Sequence, residues 1–199
     1  MACFAPLALF APSALAEETL TDSTTGKRFP CSIAFVHQDI EQQLSITGVT
    51  ARRKFFLNIY SIAHYMQDPP RGSVREVTRA VLRDGPPKQI TMDFVRDVSA
   101  DRIQEAFREG FQGNASPSEL EDIRPLLRQF LASIYKDVQE DDTVIIRWLP
   151  GGVTVSLFQG EEVNRITSVT FARLLWSLWF GERPVVDRAE LIRLLTVDP

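Results

Sequence analysis

Histidine and cysteine are nearly missing from this 199-residue chain, which carries two of each. The histidines are His37 and His64, and the cysteines are Cys3 and Cys31. Ser/His/Asp and Cys/His nucleophilic catalysis therefore have little support, and no G-x-S-x-G turn presents a serine. No C-x-x-C or H-x-x-x-H spacing offers a metal its usual ligand set, so neither a metal nor a cofactor is expected. A phosphate cradle is missing too: Gly151-Gly152 lies between two β-branched runs, without the helix and lysine that would follow it in a nucleotide loop. A basic excess is absent, with 22 Lys and Arg against 26 Asp and Glu. The net charge of −4 gives no footprint for nucleic acid or anionic lipid. The acidic runs Glu119-Leu120-Glu121-Asp122 and Glu140-Asp141-Asp142 sit at helix and strand starts, where they read as solvated structure.

Long apolar runs are also wanting. The first sixteen residues, MACFAPLALFAPSALA, are too short to span a bilayer and end in Ala14-Leu15-Ala16, the small-residue spacing of a signal peptidase site. Residues 1–16 read as a secretory signal, which would make the mature protein periplasmic or secreted; the alternative is an apolar N-terminal strand. Cys3 would leave with the signal, so Cys31 would stand alone and no internal disulfide is expected. The polar stretch 17–28 reads as a loose leader with room for an early strand, and 29–199 as one globular domain. Its 44% hydrophobic and 24% charged composition suits that reading.

What is present is a set of periodic segments. QQLSITG and ARRKFFLNIYSIAHYM read as strand-like stretches meeting at Gly48, and SVREVTRAVL and KQITMDFV as two more strands around the turn Asp84-Gly85-Pro86-Pro87. After Ser99 the period changes: Ile103, Ala106, Phe107, Gly110 and Phe111 follow helical spacing. Ser116-Pro117-Ser118-Glu119 forms a capping box opening a helix that Pro125 should break or kink. TVIIRWLPGGVTVSLFQGEEV is a hairpin with a further turn at Gln159-Gly160. Phe171, Leu174, Leu175, Leu178 and Trp179 then stripe a helix that Gly181 can end, with Trp176 and Trp179 expected in the core. A short helix around Leu191 and Leu194 closes the chain. This order gives an α+β domain with a mainly antiparallel sheet and helices packed on one face.

The segment Ala51 to Met66 carries the chemistry. Its odd positions read as a core face, whereas Arg52, Lys54, Phe56, Asn58, Tyr60, Ile62, His64 and Met66 mix polar and apolar groups, as a cavity wall does. His64 reads as a hydrogen-bonded strand residue. An arginine fork suits a carboxylate or an enolate-like oxygen, and a tyrosine hydroxyl adds one hydrogen bond.

GVTARRKFFLNIYSIAHYM, ITMDFVRDVSADRIQEAFREGF, DDTVIIRWLPGGVTVSLFQGEEV and FARLLWSLWFGERPVVDRAELIRLL, in that order, resemble segments of chalcone isomerase-like proteins of the bacterial branch, over roughly Phe29 to Leu195. The resemblance implies an open-faced β-sandwich with a ligand cleft between sheet and helices. Arg52 is similar to the cleft arginine that assists chalcone closure in the plant enzymes, with Arg53 one residue away, and Tyr60 falls where those enzymes have a threonine. Their catalytic tyrosine and asparagine are matched by Ile103 and Gly110, which have no side-chain donor. Arg52 and Tyr60 are also similar to the arginine and tyrosine that meet the lipid carboxylate in the non-catalytic fatty-acid-binding relatives.

The expectation is a protein that binds a small amphipathic ligand such as a fatty acid, with Arg52 and Tyr60 on the acid and Phe56, Ile62, Ile103 and Phe107 along the apolar part. An intramolecular lyase acting on an enone, using Arg52 and Tyr60, and a structural envelope domain are the alternatives. One geometric condition attaches to the first two. Eight residues of straight strand span roughly 26 Å at about 3.3 Å per residue, so the chain must turn or bulge between Arg53 and Asn58 for the pair to share a ligand.

Overall fold

The computed structural model describes residues 18–197, and the expected signal segment lies outside them. Seven strands form one curled antiparallel sheet in the order β3-β4-β5-β6-β7-β8-β9, so each strand pairs with its neighbour in sequence. They are β3 (Ser32–His37), β4 (Ile40–Lys54), β5 (Leu57–Met66), β6 (Lys88–Phe94), β7 (Thr143–Leu149), β8 (Val153–Phe158) and β9 (Glu161–Thr167). Helix α1 (Val74–Val81) links β5 to β6, α2 (Ala100–Asn114) and α3 (Pro117–Ala132) link β6 to β7, and α4 (Val169–Phe180) follows β9. A small ribbon of β1 (Thr19–Thr21) and β2 (Arg28–Pro30) stands apart from the main sheet. No helix among the described residues is long and apolar enough to cross a membrane.

The segment SVREVTRAVL is a helix, not a strand. Ser73 accepts from the Glu76 amide while the Glu76 carboxylate takes the Ser73 amide, a capping box that the β-branched valines and threonine hide from a propensity reading. Helix α3 likewise runs through Pro125. The ring removes the donor that the Glu121 carbonyl would have used, but both residues are exposed and water can serve that carbonyl. The turn after α1 is tied to the β7–β8 turn, because Asp84 accepts from Trp148 Nε1 at 3.0 Å and from the Gly151 and Gly152 amides.

Two apolar clusters lie on opposite faces of the sheet. The larger one packs α4, which is buried on every side from Leu174 to Phe180, against Ile62, Ile90, Ile146 and Trp148. Trp176 and Trp179 belong to it, as their spacing requires. The smaller cluster joins Phe29, Leu44, Ile46, Val49, Ala63 and Tyr65. The polar stretch at residues 19–22 is less loose than its composition suggests: β1 pairs with β2, and buried Asp22 accepts from Ser61 on β5 and from Thr25, each at 2.7 Å.

Gly48 sits where β4 changes register, at a bulge between Ile46 and Gly48. A Cβ there would lie 2.0 Å from the carbonyl oxygen of Glu190, so only glycine lets the short 3-10 helix Glu190–Ile192 rest on the strand. The extra residue of the bulge, Thr47, turns its hydroxyl to the Leu191 carbonyl at 2.6 Å. That carbonyl takes the hydroxyl proton, so His64 donates Nδ1–H to Thr47 Oγ1 across 2.7 Å. His64 is fully buried, packs edge-on against Phe180, and has no partner for Nε2 among the described residues. Protonating Nε2 would place a charge where nothing can accept its hydrogen. Burial, with the Lys88 ammonium adding repulsion, holds the His64 pKa down at about 3.

A depressed folded pKa gives a stability term that is complete above the unfolded pKa near 6.5 and is lost as pH falls toward 3. Between those limits the wild-type chain should lose stability on acidification faster than His64→Gln, by up to about 1.4 kcal/mol per pH unit. Urea unfolding at several pH values measures the difference; parallel slopes for the two proteins would refute it.

Candidate functional site

Strands β4 and β5 are joined by a reversal at Phe55 and Phe56, with Phe55 at φ 57°. This is the turn that the spacing of Arg52 and Tyr60 demands, and no glycine or proline makes it. It pairs Arg52 with Tyr60 directly across the two strands, and Tyr60 with Phe94 on β6. A directly opposite pair has Cβ atoms about 4.5–5.5 Å apart, so the two side chains can reach one ligand group. A register shift between Arg52 and Arg53 leaves Ile59 as the extra residue on β5.

The row Arg52–Tyr60–Phe94 lines a cavity of about 770 Å³ between the sheet and helices α2, α3 and α4. This lies within the roughly 300–1,000 Å³ of ordinary small-molecule sites. Its helical wall includes Ile103, Phe107 and Gly110 from α2, Phe130 from α3 and Trp179 from α4. Phe107 meets Phe130 edge-on at 4.9 Å between centroids and Trp179 at 6.2 Å, which fixes the wall.

Tyr60 is the most constrained polar group there. Its hydroxyl oxygen accepts from Trp179 Nε1 at 3.2 Å, and its ring lies 5.4 Å from that of Phe94. With the oxygen receiving the indole hydrogen, the phenolic proton is left to donate, and among the described residues none accepts it. Burial raises the Tyr60 pKa against the lowering effects of the indole hydrogen bond and the Arg52 charge, so the hydroxyl keeps its proton. Arg52 is half-buried and gives one Nη1 hydrogen to the Val185 carbonyl. That bond holds the guanidinium while other hydrogens of its five remain for a ligand.

Of the residues singled out by sequence, Arg52, Tyr60, Ile103 and Phe107 line the cavity. Arg53 is exposed and does not, which separates it from Arg52. Two others are corrected. Phe56 lies at the apex of the reversal, 94% exposed, so it belongs to neither sheet face and does not line the cavity. Ile62 shares the face of Tyr60 but lies deeper, fully buried in the large core that α4 seals. The alternation is right and the depth is not: that face is open at Tyr60 and closed from Ile62 inward.

Two features escaped the sequence reading. Trp179 is core and site at once, and the need of a buried indole N–H for an acceptor was its only signal. The cavity is also rimmed by Lys54, Arg96, Arg102, Lys136 and Arg183, scattered over four segments with no shared motif. Neither these nor Arg52 forms an ion pair among the described residues. The acids that line it are Asp97, Glu105 and Glu109, and Glu105 is paired with Arg108. No cluster of His, Cys, Asp and Glu fit for a metal occurs among the described residues.

A curled antiparallel sheet with helices laid over one face and a cleft between them is an open-faced β-sandwich. The chain belongs to the chalcone isomerase-like family, whose sequence pattern matches residues 24–191. Among solved structures it is similar to the crystal structure of a fatty-acid binding protein from Arabidopsis thaliana, with a TM-score of 0.69 and 19% identity over 88% of this chain and 96% of that one. At that identity the likeness establishes the fold. No curated protein sequence matches.

Glycine at position 110 is required by the packing of α2 on α4. A Cβ at this position would lie 2.6 Å from Leu178 Cγ, because α2 and α4 touch there. Gly110→Asn should overpack that contact and destabilise the fold by roughly 1–3 kcal/mol. Ile103→Tyr, which faces open cavity, should cost far less. Thermal unfolding of both variants compares them, and an unaltered melting temperature for Gly110→Asn would contradict the close contact.

Proposed function

We propose that this protein binds a fatty acid or a similar small amphipathic carboxylate in the cavity and does not turn it over. The observation that carries the reading is the pairing of Arg52 with a Tyr60 whose hydroxyl is already oriented by Trp179, in a cavity whose walls are largely aromatic and aliphatic and whose further lining cations outnumber its acids. A carboxylate needs donors in a dry setting and an acyl chain needs apolar walls; the cavity supplies both. The rim cations favour an anion over a neutral ligand by raising the local positive potential. The fatty-acid binding protein of the same fold is consistent with this reading.

The absence of side-chain donors at Ile103 and Gly110, where the resemblance sets the tyrosine and asparagine of the plant enzymes, speaks against enone cyclisation by their route. We further propose a periplasmic or secreted location, on the strength of the apolar N-terminus and its Ala14-Leu15-Ala16.

Native mass spectrometry of protein purified from its host should find a bound lipid acid, and titration of delipidated protein with fatty acids should saturate at one site. Arg52→Ala removes a charge-assisted contact and should weaken binding roughly tenfold to a hundredfold. Tyr60→Phe should weaken it less. An empty protein that ignores added fatty acids, or turnover of chalcones that Arg52→Ala abolishes, would overturn the proposal.

A further inference from the structure

The reversal between β4 and β5 leaves a patch of apolar surface in water. Phe55 is 87% exposed, Phe56 94% and Leu57 51%, three consecutive side chains at the tip of a two-residue turn. Hairpin tips favour glycine, asparagine and aspartate because the turn demands positive φ, yet Phe55 takes φ 57° with a bulky ring. Core packing does not account for the aromatic pair, since Phe55 and Phe56 are almost wholly exposed and belong to neither core cluster.

The patch stands at the opening of the cavity. Lys54, Phe55 and Leu57 line it, so the tip forms one lip of the mouth. Another segment that lines the cavity, just beyond α3, carries Tyr135, 67% exposed, with the Lys136 ammonium 5.4 Å from its ring centroid. The charges around these rings are mainly positive. Arg53 and Lys54 directly precede the tip, and Arg96, Arg102 and Lys136 line the same cavity, none of them in an ion pair among the described residues. Of the acids there, Asp97 accepts from the Glu140 amide, Glu105 holds Arg108, and Glu109 faces the cavity.

We propose that the β4–β5 tip docks the protein on a lipid surface bearing anionic headgroups. Phe55, Phe56 and Leu57 enter the headgroup and acyl boundary, Arg53 and Lys54 meet the phosphates, and the cavity mouth is set against the bilayer. An aromatic and leucine tip flanked by basic residues has the composition of interfacial anchors. The chain's net charge of −4 does not oppose this, because charges beyond a Debye length of about 8 Å are screened and the field at the tip is set by its own cations. A second copy of the chain fits less well: a symmetric contact through the tip would set Arg53 and Lys54 against their own counterparts. The purpose of the docking rests on the proposed ligand, since a long-chain acid leaving the cavity through this mouth would otherwise pass through water; the docking itself does not.

The test uses the full chain with Phe56→Trp. Vesicles rich in phosphatidylglycerol should shift the added tryptophan's emission to the blue, brominated acyl chains should quench it, and salt should weaken both effects. Subtracting the wild-type spectrum removes the three native tryptophans. Phosphatidylcholine vesicles should produce a much smaller change. A Phe56→Ser, Arg53→Glu double variant should partition onto the anionic vesicles at least tenfold more weakly, yet bind fatty acid as before, because neither side chain lines the cavity. Emission that does not move with vesicles overturns the proposal, as does equal partition of the double variant. A concentration-dependent dimer that the same variant abolishes would assign the tip to a contact between copies and also overturn it. Insertion without fatty-acid binding would leave the tip and reject the ligand; binding without insertion would do the reverse.

Discussion

The site depends on a chain reversal over Phe55 and Phe56. A straight strand through this segment would hold Arg52 and Tyr60 roughly 26 Å apart at about 3.3 Å per residue. The reversal makes them cross-strand partners instead. The sheet then extends the row to Phe94, and α4 supplies Trp179, so three strands and a helix meet around the Tyr60 side chain. Because the turn is short and its residues apolar, the same step leaves two phenylalanine rings in water beside the mouth. The polar end of the cavity and its apolar lip are two consequences of one backbone feature.

Depth along β5 decides what each side chain does. Tyr60, Ile62, His64 and Met66 share a face, but it passes from the cavity at Tyr60 to the sealed core at Ile62 and Met66 and the buried imidazole of His64. At the closed end the bulge at Gly48 turns Thr47 inward, and Thr47 ties His64 to the 3-10 segment through Leu191. The imidazole there has a structural part, since its neutral form is favoured by burial and by an Nε2 that has no partner among the described residues. The open end is free to carry polar groups because the closed end bears most of the packing.

Much of this was legible in the sequence. The periodicities of α2, α3 and α4 and the β7–β8–β9 turns read directly, because helical stripes, Ser116-Pro117-Ser118-Glu119 and the glycine turns are local signals. The reversal at Phe55 was inferable from distance alone, since no residue announces it. Helix α1 was missed because its valines and threonine suit a strand, while Ser73 and Glu76, which decide the matter, are two residues among ten. Phe56 and Ile62 were misplaced for a different reason. Alternation reports which face a side chain takes, whereas exposure at a turn and closure under a helix depend on contacts distant in sequence.

The same distinction separates binding from catalysis in this cavity. Holding a carboxylate needs only fixed donors where the charge already resides, and Arg52 and Tyr60 are fixed, one by the Val185 carbonyl and the other by Trp179. Catalysing an addition to an enone needs donors placed where charge develops as bonds change. Helix α2 offers none from Ile103, and at Gly110 the approach of Leu178 closes the space in which one could stand. The packing of α2 on α4 therefore does more than stabilise the fold: by requiring glycine at that contact, it limits which side chains α2 can present to the cavity.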